Sequence, residues 1–163
     1  MRTLYLLRHA KSSWKDASLS DFERPLKRRG REAAQRIGER LAQEKLKNPV
    51  LICSPAVRAR ETAELVLKSS KLRVEERWDE RIYEASLRDL LQVVTEIPDE
   101  KTVAILIGHN PGFEELLSFL TGEHRRMPTA ALAKIKLDVS WKDVEASSGK
   151  LELFVTPKGL SEE

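Results

Sequence analysis

Three short runs that are apolar at nearly every position constrain this chain most: TLYLL from Thr3 to Leu7, VLIC from Val50 to Cys53 and TVAILIG from Thr102 to Gly108. Runs of this length and composition suit strands covered on both faces. Amphipathic segments separate them. From Arg28 to about Glu44 the apolar positions Ala34, Ile37, Leu41 and Ala42 recur at helical spacing. After the second run, Ser54-Pro55 reads as an N-cap followed by proline at the first helical position, with Ala59, Ala63, Val66 and Leu67 as the buried stripe. A short strand from Leu72 to Glu75 follows, then a helix from Leu87 to about Glu96 that opens on a Ser86/Asp89 capping box. Asn110-Pro111 repeats the cap-then-proline start for a helix carrying Phe113, Leu116, Leu117 and Leu120, closed by Gly122. Two more strands are expected, at Ala131 to Leu137 and Lys150 to Thr156. Strands alternating with amphipathic helices imply right-handed crossovers, and so an α/β fold of three layers: a mostly parallel sheet with helices on both faces.

That architecture has a consequence for chemistry, because open α/β sheets bind ligands beyond the carboxyl ends of their strands. Arg8 and His9 follow the first strand, Arg58 falls in the first turn after the second, Glu84 follows the third, and His109 ends the fourth. Residues far apart in sequence are thereby expected on one rim. Two arginines and two histidines suit a compact dianion such as phosphate, which guanidinium groups bind through paired, permanently charged hydrogen bonds. Imidazole adds reactivity: neutral it is a nucleophile, protonated it is a donor. The backbone N–H groups at the start of the helix after Asn110 supply further anion contacts. A cation in the first turn of a helix opposes its dipole, so Arg58 makes better sense beside a bound anion.

The totals set limits on the alternatives. At 163 residues, 1–163 is expected to form one domain, and 40% apolar with 34% charged residues is a globular balance. No run approaches a membrane span, and the first strand begins too early for a signal peptide, which places the chain in the cytoplasm as an expectation. Cys53 is the lone cysteine, so no disulfide forms within one chain. The three histidines, His9, His109 and His124, lack the close spacing that prearranges metal ligands, and neither a metal nor a cofactor is called for. RPLKRRGR places five basic residues between Arg24 and Arg31, either a solvated helix entrance or an anionic contact surface. No aromatic residue interleaves it, which argues against single-stranded nucleic acid. His124, Arg125 and Arg126 lie in a loop that either stays on the surface or folds over the rim, and Trp14, Trp78 and Trp141 are either core or docking residues.

RHA after the first strand, SPAVRARETA after the second and GHNP after the fourth together resemble the histidine phosphatase superfamily, whose fold is called phosphoglycerate mutase-like. RHAKSSW, DFERPLKRRG, IYEAS and GHNPG in that order resemble its small SixA-type phosphohistidine phosphatase branch. The resemblance covers the chain from Leu4 to at least Gly112 and implies one phosphatase domain without a large lid insertion. Carried over, it makes His9 the nucleophile, Arg8 and Arg58 the clamp on the phosphoryl oxygens, and His109 the second histidine stabilising the transferring group. Ser12 matches a hydroxyl position of the family, a phosphate contact or a turn. Lys15 stands where many relatives carry an asparagine on the phosphate, and Asn110 offers its backbone. The general acid is expected at Glu84, with Glu80 and Asp21 as other candidates.

The substrate implied is phosphohistidine on a partner protein, whose nitrogen leaving group departs neutral without a strong acid. The alternative keeps the mechanism and takes a small phosphomonoester, a sugar phosphate or nucleotide. A third possibility, from another class, is a non-catalytic phosphate or nucleic-acid binder using the Arg24 to Arg31 cluster. Neither nucleic acid nor membrane is an expected partner of the enzyme.

Overall fold

A computed structural model describes residues 1–161. Six strands, β1 (Arg2–Arg8), β2 (Val50–Cys53), β3 (Glu75–Trp78), β4 (Val103–Gly108), β5 (Leu132–Leu137) and β6 (Gly149–Val155), form one sheet in the order β3-β2-β4-β1-β5-β6. β1, β2, β3 and β4 pair in parallel, whereas β5 lies antiparallel to β1 and to β6. The sheet is therefore mixed, with its parallel part at the centre and the β3 side.

Strand periodicity decides which layer each residue joins. Tyr5, Leu7, Leu51, Cys53, Ile105 and Ile107 face α1 (Arg28–Ala42) and α2 (Val57–Ser70). Leu4, Leu6, Val50, Ile52, Ala104 and Leu106 face α3 (Leu87–Thr95) and α4 (Gly112–Thr121) on the opposite side. Burying a leucine, isoleucine or valine of this kind contributes about 1.5–3 kcal/mol, so the two covered faces dominate the stability. Trp141, in a helical turn before β6, is fully buried and donates its indole N–H to the Lys101 carbonyl. Trp14 and Trp78 are exposed.

Three expected boundaries move. The third strand is Glu75–Trp78, not Leu72 to Glu75: it is an edge strand with every residue exposed, so it carries no apolar signature, and Leu72 and Val74 pack into the α1/α2 layer ahead of it. Both cap-then-proline starts fall too early. α2 begins at Val57 after Ala56, and α4 begins at Gly112 after Pro111, neither with a side-chain cap. Ser54 and Asn110 are drawn away by tertiary partners described below. The Ser86/Asp89 capping box and the left-handed Gly122 closing α4 are present as expected. A last helix, α5 (Pro157–Ser161), is additional. Among the described residues no helix is long and apolar enough to cross a membrane.

Candidate active site at the carboxyl ends of three central strands

Strand register assembles the centre of the site. Arg8 of β1 pairs with Gly108 of β4, and the His9 N–H donates to the Gly108 carbonyl at 2.9 Å. Cys53 of β2 pairs with Ile107, and the Ser54 N–H donates to the Ile107 carbonyl at 3.0 Å. His9, His109 and Ser54 thus leave three adjacent strands at one level. The two imidazole rings lie with centroids 5.1 Å apart, tilted by 52°.

Hydrogen bonds fix which nitrogen of His9 carries a free lone pair. Its Nδ1 lies 2.7 Å from the Ala10 carbonyl, an acceptor only, so Nδ1 carries the proton and Nε2 keeps its lone pair. Burial pushes the His9 pKa down to about 4, helped by the charges of Arg58, Arg8 and Arg24 and opposed by the Ala10 bond. Burial pushes His109 down to about 3, with His9 and Arg58 adding to the effect. Both rings are therefore neutral in the unliganded protein at neutral pH.

Arg8 and Arg58 flank them. The Arg8 Nη1 donates to the Met127 carbonyl at 2.9 Å; the Arg58 Nη1 donates to the Asp21 carbonyl at 2.6 Å, and its Nη2 reaches the Asp21 carboxylate at 3.0 Å. Arg8 Nε, Arg58 Nε and His109 Nδ1 are buried without a hydrogen-bond partner among the described residues. Buried unpaired polar groups are costly, and two guanidinium N–H groups beside an unpaired imidazole nitrogen mark a place prepared for an anion with several acceptor oxygens. Thr62 locks this geometry: its hydroxyl donates to the Arg58 carbonyl and accepts the Ala10 N–H, tying α2 to the turn after His9.

The other expected residues fall in different places. Ser12 accepts a 2.6 Å hydrogen bond from Arg24 Nη1, so it supports a third guanidinium near the site. Lys15 is exposed, and its side chain makes no hydrogen bond or ion pair among the described residues; only its backbone bonds to Ser13. The Asn110 side chain donates to Glu114 Oε2 and to the Met127 carbonyl, which explains why it does not cap α4, and the first residue of that helix is Gly112. Glu84 is exposed at positive φ and lines a cavity of about 450 Å³ with Ala85, Ser86, His109, Asn110, Pro111 and Glu115. Glu80 lies exposed in the turn before it. His124, Arg125 and Arg126 do not cover the rim; they line an adjoining groove of about 610 Å³ that includes Leu87, Glu115 and Phe119.

Sequence reading missed three contributors. Arg24 looked like one member of a basic run, yet it is buried, bonded to Ser12 and Asp21, and stacked 3.5 Å from the centre of the Trp14 ring. Tyr83 donates its hydroxyl to Asp21 at 2.6 Å and meets His109 edge-on at 5.5 Å between ring centroids. The Tyr83 hydroxyl, then Arg24 and Arg58, hold the Asp21 carboxyl well below the usual carboxylate range. Ser54, expected as a helix cap, instead contacts His109. Only the DFERP spacing hinted that Asp21 and Arg24 act together. Among the described residues no group of three or more His, Cys, Asp or Glu side chains is placed to hold a metal ion.

Known proteins share this architecture. An uncharacterized chloroplastic protein of Arabidopsis thaliana is 33% identical over 96% of this chain and 78% of its own length. A protein histidine phosphatase SixA solved with tungstate superposes with a TM-score of 0.84 at 22% identity, covering 97% of this chain and 99% of that one. A candidate phosphohistidine phosphatase SixA of Agrobacterium tumefaciens gives 0.82 at 25% identity, over 96% and 98%. A mycobacterial glucosyl-3-phosphoglycerate phosphatase solved with VO3 gives 0.71 at 16% identity, over 94% and 98%. The sequence profile of the histidine phosphatase superfamily (branch 1) matches residues 4–104, a span that holds Arg8, His9 and Arg58, while β1/β4 pairing adds His109 just beyond it. The chain belongs to the histidine phosphatase superfamily, branch 1, and has the fold of its SixA-type members.

Proposed function

We propose that this phosphatase hydrolyses phosphohistidine on a partner protein, with His9 as the nucleophile. His9 Nε2 attacks phosphorus, a bond from Nε2 to phosphorus forms, and the bond from phosphorus to the substrate imidazole breaks. The substrate ring, already protonated on its other nitrogen, leaves neutral. Water then attacks the phosphorylated His9; its two protons stay with the product as dihydrogen phosphate, and His9 returns to its neutral Nδ1–H form. Arg8 and Arg58 hold the phosphoryl oxygens, and His109 Nδ1 donates to one of them. Positioning and charge stabilisation of this kind are the main requirements of phosphoryl transfer.

The observation that carries the substrate class is the state of Asp21. It is the carboxyl bonded into the cluster, and Tyr83, Arg24 and Arg58 hold it ionised, so it has no proton to give. A nitrogen leaving group asks for none. The rim is also continuous, through Glu115, with the groove beside Phe119, a surface suited to polypeptide. One feature favours a small phosphomonoester instead: Glu84 lines the cavity beside His109, where an acid for an alkoxide would stand. Ser12 and the Asn110 backbone are assigned to the phosphate only as supports, and Lys15 is left to solvent. Residues 1–163 act in this reading as one domain without a large lid, and no metal ion takes part.

The test is trapping. Protein carrying labelled phosphohistidine is mixed with enzyme and quenched in base within milliseconds to seconds; label is expected on His9 and absent from His9→Ala. Turnover is expected to persist in chelator. Unlabelled wild-type enzyme, or turnover confined to small monoesters, overturns the reading.

A further inference from the structure

His109 needs a proton on one particular nitrogen, and the sequence around it contains nothing to choose. We propose that Ser54 is the positioning residue that makes the choice, holding neutral His109 as the Nδ1–H tautomer so that a donor faces the phosphoryl group. The inference rests on the proposed catalytic pairing of His9 and His109 and goes beyond it, because Ser54 is fully buried and acts on His109 rather than on the phosphoryl group.

Geometry carries the argument. Ser54 is fully buried at the end of β2, and its Oγ lies 2.7 Å from His109 Nε2. A hydroxyl has one proton and two lone pairs. The Ala56 N–H already donates to the Ser54 Oγ, at 3.3 Å, which uses one lone pair and leaves the hydroxyl proton free. That proton has a good acceptor in Nε2. With Nε2 accepting, the single proton of a neutral ring must sit on Nδ1. The Nδ1 atom is buried without a hydrogen-bond partner among the described residues, beside Arg8 and Arg58 nitrogens in the same condition. The opposite tautomer would place a lone pair there, aimed at the oxygens of an anion.

Ser54 is held for this task by the sheet itself. Its N–H bonds to Ile107 of β4, two residues before His109, so the hydroxyl and the imidazole are fixed by a single ladder. This also accounts for the departure of α2 from its expected start. A serine capping a helix would turn its oxygen toward the N–H groups of the first turn. Here the hydroxyl spans two elements and the helix begins later, without a side-chain cap. Outer partners that orient a reacting imidazole typically alter function 10- to 100-fold when removed, by about the measure seen for histidine ligands of metals.

The experiment compares wild type, Ser54→Ala and Ser54→Thr, each labelled with 15N-histidine. Long-range 1H–15N spectra of the unliganded proteins at neutral pH report the tautomer of His109, identified by its loss in His109→Gln. The wild type and Ser54→Thr are expected to show Nδ1–H. Ser54→Ala is expected to show substantial Nε2–H, a His109 titration moved upward because a bond to the neutral form is gone, and kcat lower by about 10- to 100-fold with KM nearly unchanged. His9 resonances should stay in place. Nε2–H in the wild type overturns the proposal. So does Ser54→Ala with kcat within threefold of wild type, and so does a fall in kcat while His109 stays Nδ1–H, since that loss would be structural. Phosphorylation of His9 by quench in all three proteins separates the outcomes: a wild type that never labels sinks the enzymatic reading, whereas labelling with an unaltered tautomer sinks only the role of Ser54.

Discussion

The Arg58 guanidinium holds the Asp21 carboxylate at 3.0 Å and the Asp21 carbonyl at 2.6 Å, so a surface turn supplies one anionic and one neutral acceptor to the first turn of α2. That contact resolves the conflict between Arg58 and its helix dipole before any ligand arrives. It also places a negative charge next to the proposed phosphate site. Asp21→Asn should therefore tighten binding of inorganic phosphate by about 3- to 10-fold, the effect of removing one charge at a partly solvated distance. Because Asp21 is half exposed, the same change should lower stability by only about 1 kcal/mol. Calorimetric titration with phosphate and denaturant unfolding read the two effects; weaker phosphate binding would show that Asp21 serves to aim Arg58 rather than to offset it.

Acid should destabilise the protein through its two site histidines. With His9 held at about 4 and His109 at about 3, the native state keeps both neutral, whereas the unfolded chain protonates them at about 6.5. Above pH ~6.5 neither state binds these protons and the stability is fully present. As pH falls below ~6.5 the unfolded state gains protons first, and stability declines by up to about 1.4 kcal/mol per pH unit for each histidine until the native groups titrate. Urea unfolding at a series of pH values should show this slope, and His109→Gln should reduce it. An unchanged slope in the variant would contradict the burial of a neutral ring.

Glu84 separates the two substrate classes. Glu84→Gln is expected to change phosphohistidine turnover by less than about threefold, because that leaving group needs no external acid, and to reduce any monoester turnover by at least about 100-fold. Steady-state kinetics on both substrates with one enzyme preparation provide the comparison. A large loss on phosphohistidine would make Glu84 the acid for both.

Gly30 is expected to be irreplaceable for a packing reason. A Cβ there would run into the backbone carbonyl of Lys11, two residues after His9, because α1 closes directly on the turn that carries His9. The same turn is pinned by the Lys27 N–H on the Lys11 carbonyl and by the pairing of Ser12 with Leu26. Gly30→Ala should cost about 1–3 kcal/mol as overpacking. It should also lower kcat, since relief requires residues 10 and 11 to move. Thermal melts with kinetics on the folded fraction test it; a stable, fully active variant would show that the turn adapts.

Much of this was open to a reader of the chain. Unbroken apolar runs at TLYLL, VLIC and TVAILIG identified the central strands because each is buried on both faces, and the strand-end rule then put Arg8, His9, Arg58 and His109 on one rim. The edge strand was expected three residues too early, at Leu72 to Glu75 rather than Glu75–Trp78, since a strand exposed along its whole length has no hydrophobic pattern to fix its bounds. Arg24 was hidden for a related reason: among five neighbouring cations, nothing local distinguishes the one that folds inward onto Ser12 and Asp21. Ser54 and Asn110 were misread because local capping rules and tertiary hydrogen bonds compete for the same side chains, and the tertiary partners won. The sequence by itself determined the layers and the reactive residue types, which depend on short-range pattern. Only the tertiary structure decided that His109 meets Ser54 and that the Asp21 carboxyl stays ionised, because each depends on partners brought in from distant parts of the chain.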